Sequence, residues 1–229
     1  RQLEQLGVRV VLGRAYDAAL ARRDAPDAVV VATGVTPLIP DLPGVDLPHV
    51  VTAFDVLAGR VDVGRRVAII GARGTGCDTA LYLSEQQATD PQAAVFLAGW
   101  GAVGPDRAVA MAYSRRPIAL MRRGDRVADD IGRTVRWILL EELGHAGIEV
   151  LTGVEYEEIT PEGVRVRVGD ESRLVPADTV ILATGGISNN GLAAELEAVV
   201  PEVHLIGDAK KIRDAVDAIY EAAIVGRAI

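Results

Sequence analysis

Val67-Ala68-Ile69-Ile70-Gly71-Ala72-Arg73-Gly74-Thr75-Gly76-Cys77-Asp78-Thr79-Ala80 is the stretch from which the fold is read. A short run rich in Val and Ile, entered through Arg65-Arg66, reads as a buried strand over residues 66–70. Residues 71–76 form a glycine-rich turn, and residues 77–86 carry a helical pattern. Strand, glycine turn and helix in that order are the context that a dinucleotide fingerprint, G-x-G-x-x-G, requires. Gly71 and Gly76 hold the first and third positions: Gly71 permits the tight turn, and Gly76 lets the helix pack on the strand. Ala72, Gly74 and Thr75 complete the turn, and a helix beginning at Gly76 would offer free N–H groups to an anion.

The second fingerprint position holds Arg73, where glycine would let the backbone approach a pyrophosphate closely. Two outcomes are open. The side chain swings outward, where its guanidinium can itself pair with the pyrophosphate. Alternatively its Cβ and stem crowd the ligand, and the turn only joins a strand to a helix.

Working outward, the next strand is expected over residues 117–121, and its end should lie near the adenosine ribose. It runs into Arg122-Arg123, a pair able to hold a 2′-phosphate; the competing reading is an ordinary solvated pair. The pair lies well beyond the roughly 20-residue spacing usual for this position, so residues 87–116, rich in Gly and Ala and carrying Trp100, read as an inserted loop. A helix over 134–143, a strand over 148–151, an antiparallel meander over 154–159, 164–168 and 172–175, and a buried strand over 179–183 follow. Val164-Arg165-Val166-Arg167-Val168 alternates as a sheet with one wet face should. Upstream lie a helix tail over 1–6, strands over 8–12 and 27–33, a proline-rich connector over 36–48 and a short helix over 52–57. Downstream, a strand over 203–206 meets Gly207-Asp208, and a helix over 214–227 sets Val216, Ile219, Ala223 and Ile224 on one face. Val-Val-Val-Ala-Thr-Gly, ending in Thr33-Gly34, echoes Val-Ile-Leu-Ala-Thr-Gly, ending in Thr184-Gly185; both read as strands that run out beside a dinucleotide. The fold class is therefore α/β: a Rossmann-like parallel sheet with helices on both faces and an antiparallel meander as the crossover.

Hydrophobic residues make up 49% of the 229, enough for a substantial core, and aromatics only 4%, as suits parallel strands under Ala-rich helices. A formal net charge of −8 with no basic stripe argues against nucleic acid as a partner. The arginine pairs at 22–23, 65–66 and 115–116 read as solvated surface. The one cysteine, Cys77, precludes an internal disulfide and any cysteine-built cluster within this chain; at a helix start its thiolate could gain some stabilisation, but a packed thiol is the stronger reading. His49, His145 and His204 are isolated, and no ligand set for a metal is apparent. No apolar run approaches the ~20 residues of a membrane helix, and no signal peptide is visible, so a cytoplasmic setting is expected. The opening helix tail suggests that residues before Arg1 belong to the fold.

Residues 67–83, the inserted Phe96-Leu97-Ala98-Gly99-Trp100-Gly101 and Ile131-Gly132-Arg133-Thr134-Val135-Arg136-Trp137 resemble bacterial 2,4-dienoyl-CoA reductase. The tail, Ile206-Gly207-Asp208-Ala209 with residues 215–222, is more similar to the wider group that includes trimethylamine dehydrogenase. The resemblance spans nearly the whole chain, and its specificity comes from the shared insertion. It implies a parent with an N-terminal barrel holding FMN and a 4Fe–4S cluster, followed by FAD and NADP(H) domains. Electrons would then pass from NAD(P)H to FAD, through the cluster to FMN, and on to substrate. It further implies a partial FAD-binding domain at 1–60, an NAD(P)-binding domain at 61–199 and a return to the FAD domain at 200–229. Gly207 and Asp208 would touch the flavin's ribityl or pyrophosphate part, Asp208 as acceptor, unless it is a helix cap. The barrel and the rest of the FAD domain would be partners within the same parent chain. Dienoyl-CoA reductase has glycine at the position of Arg73, whereas the corresponding domain of trimethylamine dehydrogenase holds ADP without a nicotinamide role. A non-catalytic scaffold is therefore the second reading, and the isolated chain is expected to be inactive by itself.

Overall fold

The computed structural model describes residues 2–86, 90–111 and 116–229, the Pro91 side chain excepted. Arg1 and residues 87–89 and 112–115, which include Arg115 and part of the insertion expected over 87–116, lie outside the described residues. The chain forms two compact units, Arg1–Thr36 with Gly186–Ile229, and Pro37–Gly185.

The second unit is built on a parallel five-stranded sheet. Its strands are β3 (Val50–Thr52), β4 (Val67–Ile70), β5 (Ile118–Met121), β6 (Glu149–Leu151) and β10 (Thr179–Leu182), in the order β3-β10-β4-β5-β6. The three middle strands are buried at every residue, which explains why their sequences are continuous apolar runs rather than alternating ones. Ile69, Leu120 and Ile181 face one side of the sheet and pack on Ala53, Val56, Cys77, Ala80, Leu83 and Leu143. These come from α3 (Ala53–Leu57), α4 (Gly74–Glu85) and α7 (Arg133–His145). Full burial of each large side chain contributes on the order of 1.5–3 kcal/mol. Ala68, Ile70, Met121, Val180 and Leu182 face the other side. They meet the inner face of an antiparallel meander, β7 (Val154–Thr160), β8 (Gly163–Val168) and β9 (Glu171–Pro176). The meander takes the place of a second helical layer, and the alternation read in 164–168 holds through 167, with Val164 and Val166 inward and Arg165 and Arg167 outward, while Val168 is exposed.

The first unit pairs β1 (Ala28–Val31) in parallel with β12 (Glu202–Leu205). Val31 packs with Ala21 of α2 (Ala18–Asp24) and with Ala193 and Leu196 of α8 (Gly191–Glu197). A four-residue α1 (Gln2–Gln5) opens this unit; β2 (Val35–Pro37), which crosses into the second unit at Pro37, pairs with β11 (Gly186–Ser188). A single 3₁₀ turn, Gly207–Ala209, precedes α9 (Ala215–Ala228). Asp17, Thr52 and Asp214 accept first-turn amides of α2, α3 and α9 as N-caps.

Several sequence expectations change. Helix α4 begins at Gly74, three residues before the expected start, because Gly74–Gly76 form its first turn and Arg73, extended at φ −88° and ψ −173°, is the N-cap. Residues 8–12 form no strand; Val8, Val10, Val11 and Leu12 are exposed, and among the described residues no strand pairs with them. The strand expected over 27–33 is shorter and only half-buried, because it belongs to a two-stranded sheet whose packed face meets α2 and α8. Among its described residues the inserted segment forms two helices, α5 (Pro91–Gly99), capped by Asp90, and α6 (Pro105–Met111). Its alanines and leucine, read as loop, are strong helix formers. Val216, Ile219 and Ile224 of α9 are exposed rather than packed. Residues 37–60 pack with the central sheet, β3 bonding directly to β10, so the units change at 36/37 and 185/186 where 60/61 and 199/200 were expected.

Candidate functional site

At the carboxyl ends of β4, β5 and β10 the second unit opens a cleft of about 350 Å³. It is lined by the Gly71 turn, Arg122-Arg123-Gly124, Tyr156, Ala183-Thr184-Gly185 and the connector residues Leu38, Pro40 and Leu42. On leaving β4 the chain turns to β5 on one side, while β10 lies on the other; crevices of this kind bind ligands in open α/β sheets.

The turn is shaped by what glycine lacks. Gly71 sits at φ +112°, its N–H bonded to Met121 O at 2.9 Å, and a Cβ there would lie 2.2 Å from Ala183 O. A Cβ on Gly76 would lie 1.9 Å from Gly71 O. Both positions therefore require glycine, as the fingerprint spacing anticipates. Ala72 is buried, and its carbonyl accepts the Ala128 N–H at 2.8 Å. Arg73 turns outward: its side chain is 68% exposed and its Nε lies 3.7 Å from Asp129. Arg73 is nonetheless one of the residues that line the cleft. Thr75 is exposed, and its carbonyl accepts the Thr79 hydroxyl.

Two carboxylates that the sequence did not single out sit beside the turn. Asp130 accepts the Gly74 N–H through both oxygens, at 3.1 and 3.2 Å. Asp129 takes the Arg122 guanidinium at 2.8 and 2.5 Å, and Arg122 is only 15% exposed. The Arg122 hydrogen bond, aided by Arg73, holds the Asp129 carboxyl below its ordinary range. Burial, then the charge of Asp130, pushes Asp78 up. Arg123 lies over the Tyr156 ring, 5.4 Å from its centre. Tyr156 leaves β7 at a register shift between Tyr156 and Glu158, a local bulge of the kind that re-aims side chains. Its hydroxyl is buried without a hydrogen-bond partner, and burial raises its pKa well above the usual phenol value against the pull of Arg123. The alternating pattern of the meander contains no signal that would single out Tyr156, and Asp129-Asp130 belongs to no motif.

The remaining sequence candidates divide between the units. Thr184 donates to Leu38 O at 2.5 Å, and Gly185, at φ +101°, closes the cleft wall. Thr33 donates to Asn189 O, and Gly34, at φ +69°, accepts the Asn189 N–H; both belong to the first unit. Gly207, at φ +60°, donates its N–H to Glu221 at 2.8 Å, and Asp208 accepts the Arg213 N–H at 3.1 Å. Cys77 is fully buried, and burial followed by Asp78 and Asp130 pushes its thiol up to about 12, so it is a packed thiol. Among the described residues no cluster of His, Cys, Asp and Glu could hold a metal, and no helix is long and apolar enough to cross a membrane.

The sheet order, the glycine cradle and the cleft define a nucleotide-binding oxidoreductase fold, and comparison with known proteins gives the family. Residues 7–222 match the family described as pyridine nucleotide-disulphide oxidoreductase, and the chain belongs to it. The chain is 35% identical over 195 residues to a metal reductase of Desulforamulus reducens, covering 85% of this chain and 29% of that protein. It is 30% identical to an NADH oxidase of Thermoanaerobacter brockii, covering 95% of this chain and 30% of that one. A solved 2-naphthoyl-CoA reductase complex superposes with a TM-score of 0.82 at 24% identity over 100% of this chain and 31% of its own; at that identity it shows the fold alone. The chain thus spans about a third of the length of the relatives it matches. With one cysteine, buried, it carries no redox disulfide of its own.

Proposed function

We propose that this chain is the pyridine-nucleotide module of a multi-cofactor flavoprotein oxidoreductase, similar to 2,4-dienoyl-CoA reductase, that presents NAD(P)H to FAD. The observation that supports this most is the cleft over the Gly71 turn, lined by Arg73, Arg122, Arg123 and Tyr156, with the Arg73 side chain 68% exposed beside Asp129. The Tyr156 hydroxyl is buried without a partner, which costs about 1–3 kcal/mol. The residues present fit a dinucleotide: glycine at 71 and 76 keeps the backbone open, and the first turn of α4 offers its amides once Asp130 releases Gly74. Arg123 and Tyr156 would hold the polar edge of the ligand, and Leu38, Pro40 and Leu42 its apolar faces. When bound, NAD(P)H supplies a hydride and FAD accepts it; the protein contributes position rather than a general acid or base. Gly207 and Asp208 are the residues of this chain proposed to meet the flavin, the remainder of its site, FMN and the 4Fe–4S cluster belonging to other parts of a cytoplasmic parent.

A second reading has its own support. Asp130 already occupies the Gly74 amide and Asp129 the guanidiniums of Arg73 and Arg122, so these anion seats are taken by the protein's own carboxylates. A scaffold domain holding ADP, or nothing, would look like this. Parallel calorimetric titrations with NADH, NADPH and ADP separate the two. A reduced dinucleotide that binds more tightly than ADP supports the module; binding of ADP alone, or of none, replaces it with the scaffold.

A further inference from the structure

We infer that Asp129 sets the nucleotide preference of the cleft, holding Arg122 so that a 2′-phosphate is refused and NADH is taken over NADPH. The inference rests on the reading that the cleft receives a reduced pyridine dinucleotide. Arg122 is the first residue beyond β5, where the strand end of this fold reaches the adenosine ribose, and it lines the cleft. Its backbone is fixed there by the bonds of its N–H to Leu151 O and its carbonyl to Val154 N–H. A free guanidinium at that position would bind a phosphate monoester through its fork. Here both terminal nitrogens are already spent on the two oxygens of Asp129, and a third contact, 3.5 Å, goes to Ala72 O. Arg73 leans on the same carboxylate at 3.7 Å.

The charge balance follows from this. The Arg122–Asp129 pair is neutral as a unit, and a phosphate dianion could reach the fork only by displacing Asp129 or by lying against it. Like charges brought together in this way oppose binding. A ribose 2′-hydroxyl carries no charge, and the Asp129 carboxylate, 35% exposed, keeps lone pairs with which to accept it. An acidic residue that accepts the ribose hydroxyl is the usual mark of NAD selection; here it arrives on the loop seven residues after Arg122 instead of at the strand end. Arg123 is the other guanidinium at this strand end, and it lies over the Tyr156 ring.

The test is competitive binding of NADH and NADPH to the unaltered chain and to Asp129→Asn, Asp129→Ser, Arg122→Ala and Arg123→Ala, each checked for an unchanged circular dichroism spectrum. The unaltered chain is expected to favour NADH by about tenfold or more. Both Asp129 variants should cut that preference to about twofold or reverse it, since they free the Arg122 fork. Arg122→Ala should keep the preference for NADH. NADPH binding as well as NADH in the unaltered chain, or a preference untouched by either Asp129 variant, overturns the role of Asp129 while leaving the dinucleotide reading intact. Loss of NADPH binding in Arg123→Ala from a chain that prefers NADPH would move that role to Arg123. A chain that binds neither dinucleotide removes the module reading and this inference together.

Discussion

Gly76→Ala sets two effects of opposite sign against each other. Gly76 lies in the first turn of α4 with no positive φ, so alanine should help the helix by about 1 kcal/mol. Against that, the new methyl would sit 1.9 Å from Gly71 O and 2.9 Å from its carbon, where real Cβ contacts essentially never fall below 3.0 Å. Relief needs a shift of about 1 Å or more between helix and turn, and the turn is tied down through the Gly71 N–H to Met121. Overpacking of this kind costs about 1–3 kcal/mol or more, and here the obstacle is backbone that cannot rotate away. A net loss of about 2 kcal/mol is expected, a fall in Tm of roughly 4–8 °C for a domain of this size. Gly144→Ala in α7 supplies the control: nothing lies within 4 Å of its Cβ, and it should gain about 0.5 kcal/mol. Thermal unfolding followed by circular dichroism measures both. If Gly76→Ala melts at or above the unaltered chain, helix and strand are not apposed as described, and the need for glycine at the third fingerprint position is refuted.

Tyr156→Phe removes the orphaned hydroxyl; without ligand the chain should gain about 1 kcal/mol in chemical denaturation, while dinucleotide affinity falls about fivefold, and unchanged affinity would remove Tyr156 from the site. Glu221, held by Arg213 and the Gly207 N–H, has its pKa lowered to about 2, so its stabilisation is complete above the unfolded value of about 4.3 and is lost as pH falls towards 2. The gap in denaturation midpoint between the unaltered chain and Glu221→Gln should therefore shrink from about pH 5 to about pH 2.5; a constant gap contradicts the pairing. Cys77, buried and raised to about 12, should resist a thiol-exchange reagent at about pH 8 until the chain is unfolded, and rapid labelling of the folded chain would place it at the surface.

Most of the central sheet was legible because its signals are local. Continuous Val, Ile and Leu runs mark strands buried on both faces, and Val164 to Val168 announces its wet face by alternation. What could not be read depends on partners distant in sequence. Residues 8–12 have the composition of a strand, but a strand exists only where another bonds to it. The three residues of β3 were hidden because their pairing with β10 lies about 130 residues away. The cradle itself was visible in Gly71 and Gly76, whereas the direction of Arg73 was not, since it is set by Asp129, a residue 56 positions later that carries no motif. The same holds for Arg122: the sequence shows a cation at the right strand end, and only the fold shows the carboxylate that holds it.

The unit Pro37–Gly185 is one uninterrupted piece of chain, while the other unit is assembled from both flanks. Emerging from the ribosome, Ala28 to Val31 must wait for Glu202 to Leu205, its partners some 174 residues on, whereas every strand of the five-stranded sheet has already been made. Synthesis therefore gives the uninterrupted unit the first chance to close its core. Its two ends leave side by side, Leu38 N–H on Gly185 O at 3.0 Å. A segment with adjoining ends can be gained, lost or exchanged between genes at a single point of the surrounding chain, with that host's two flanks left to find each other as before.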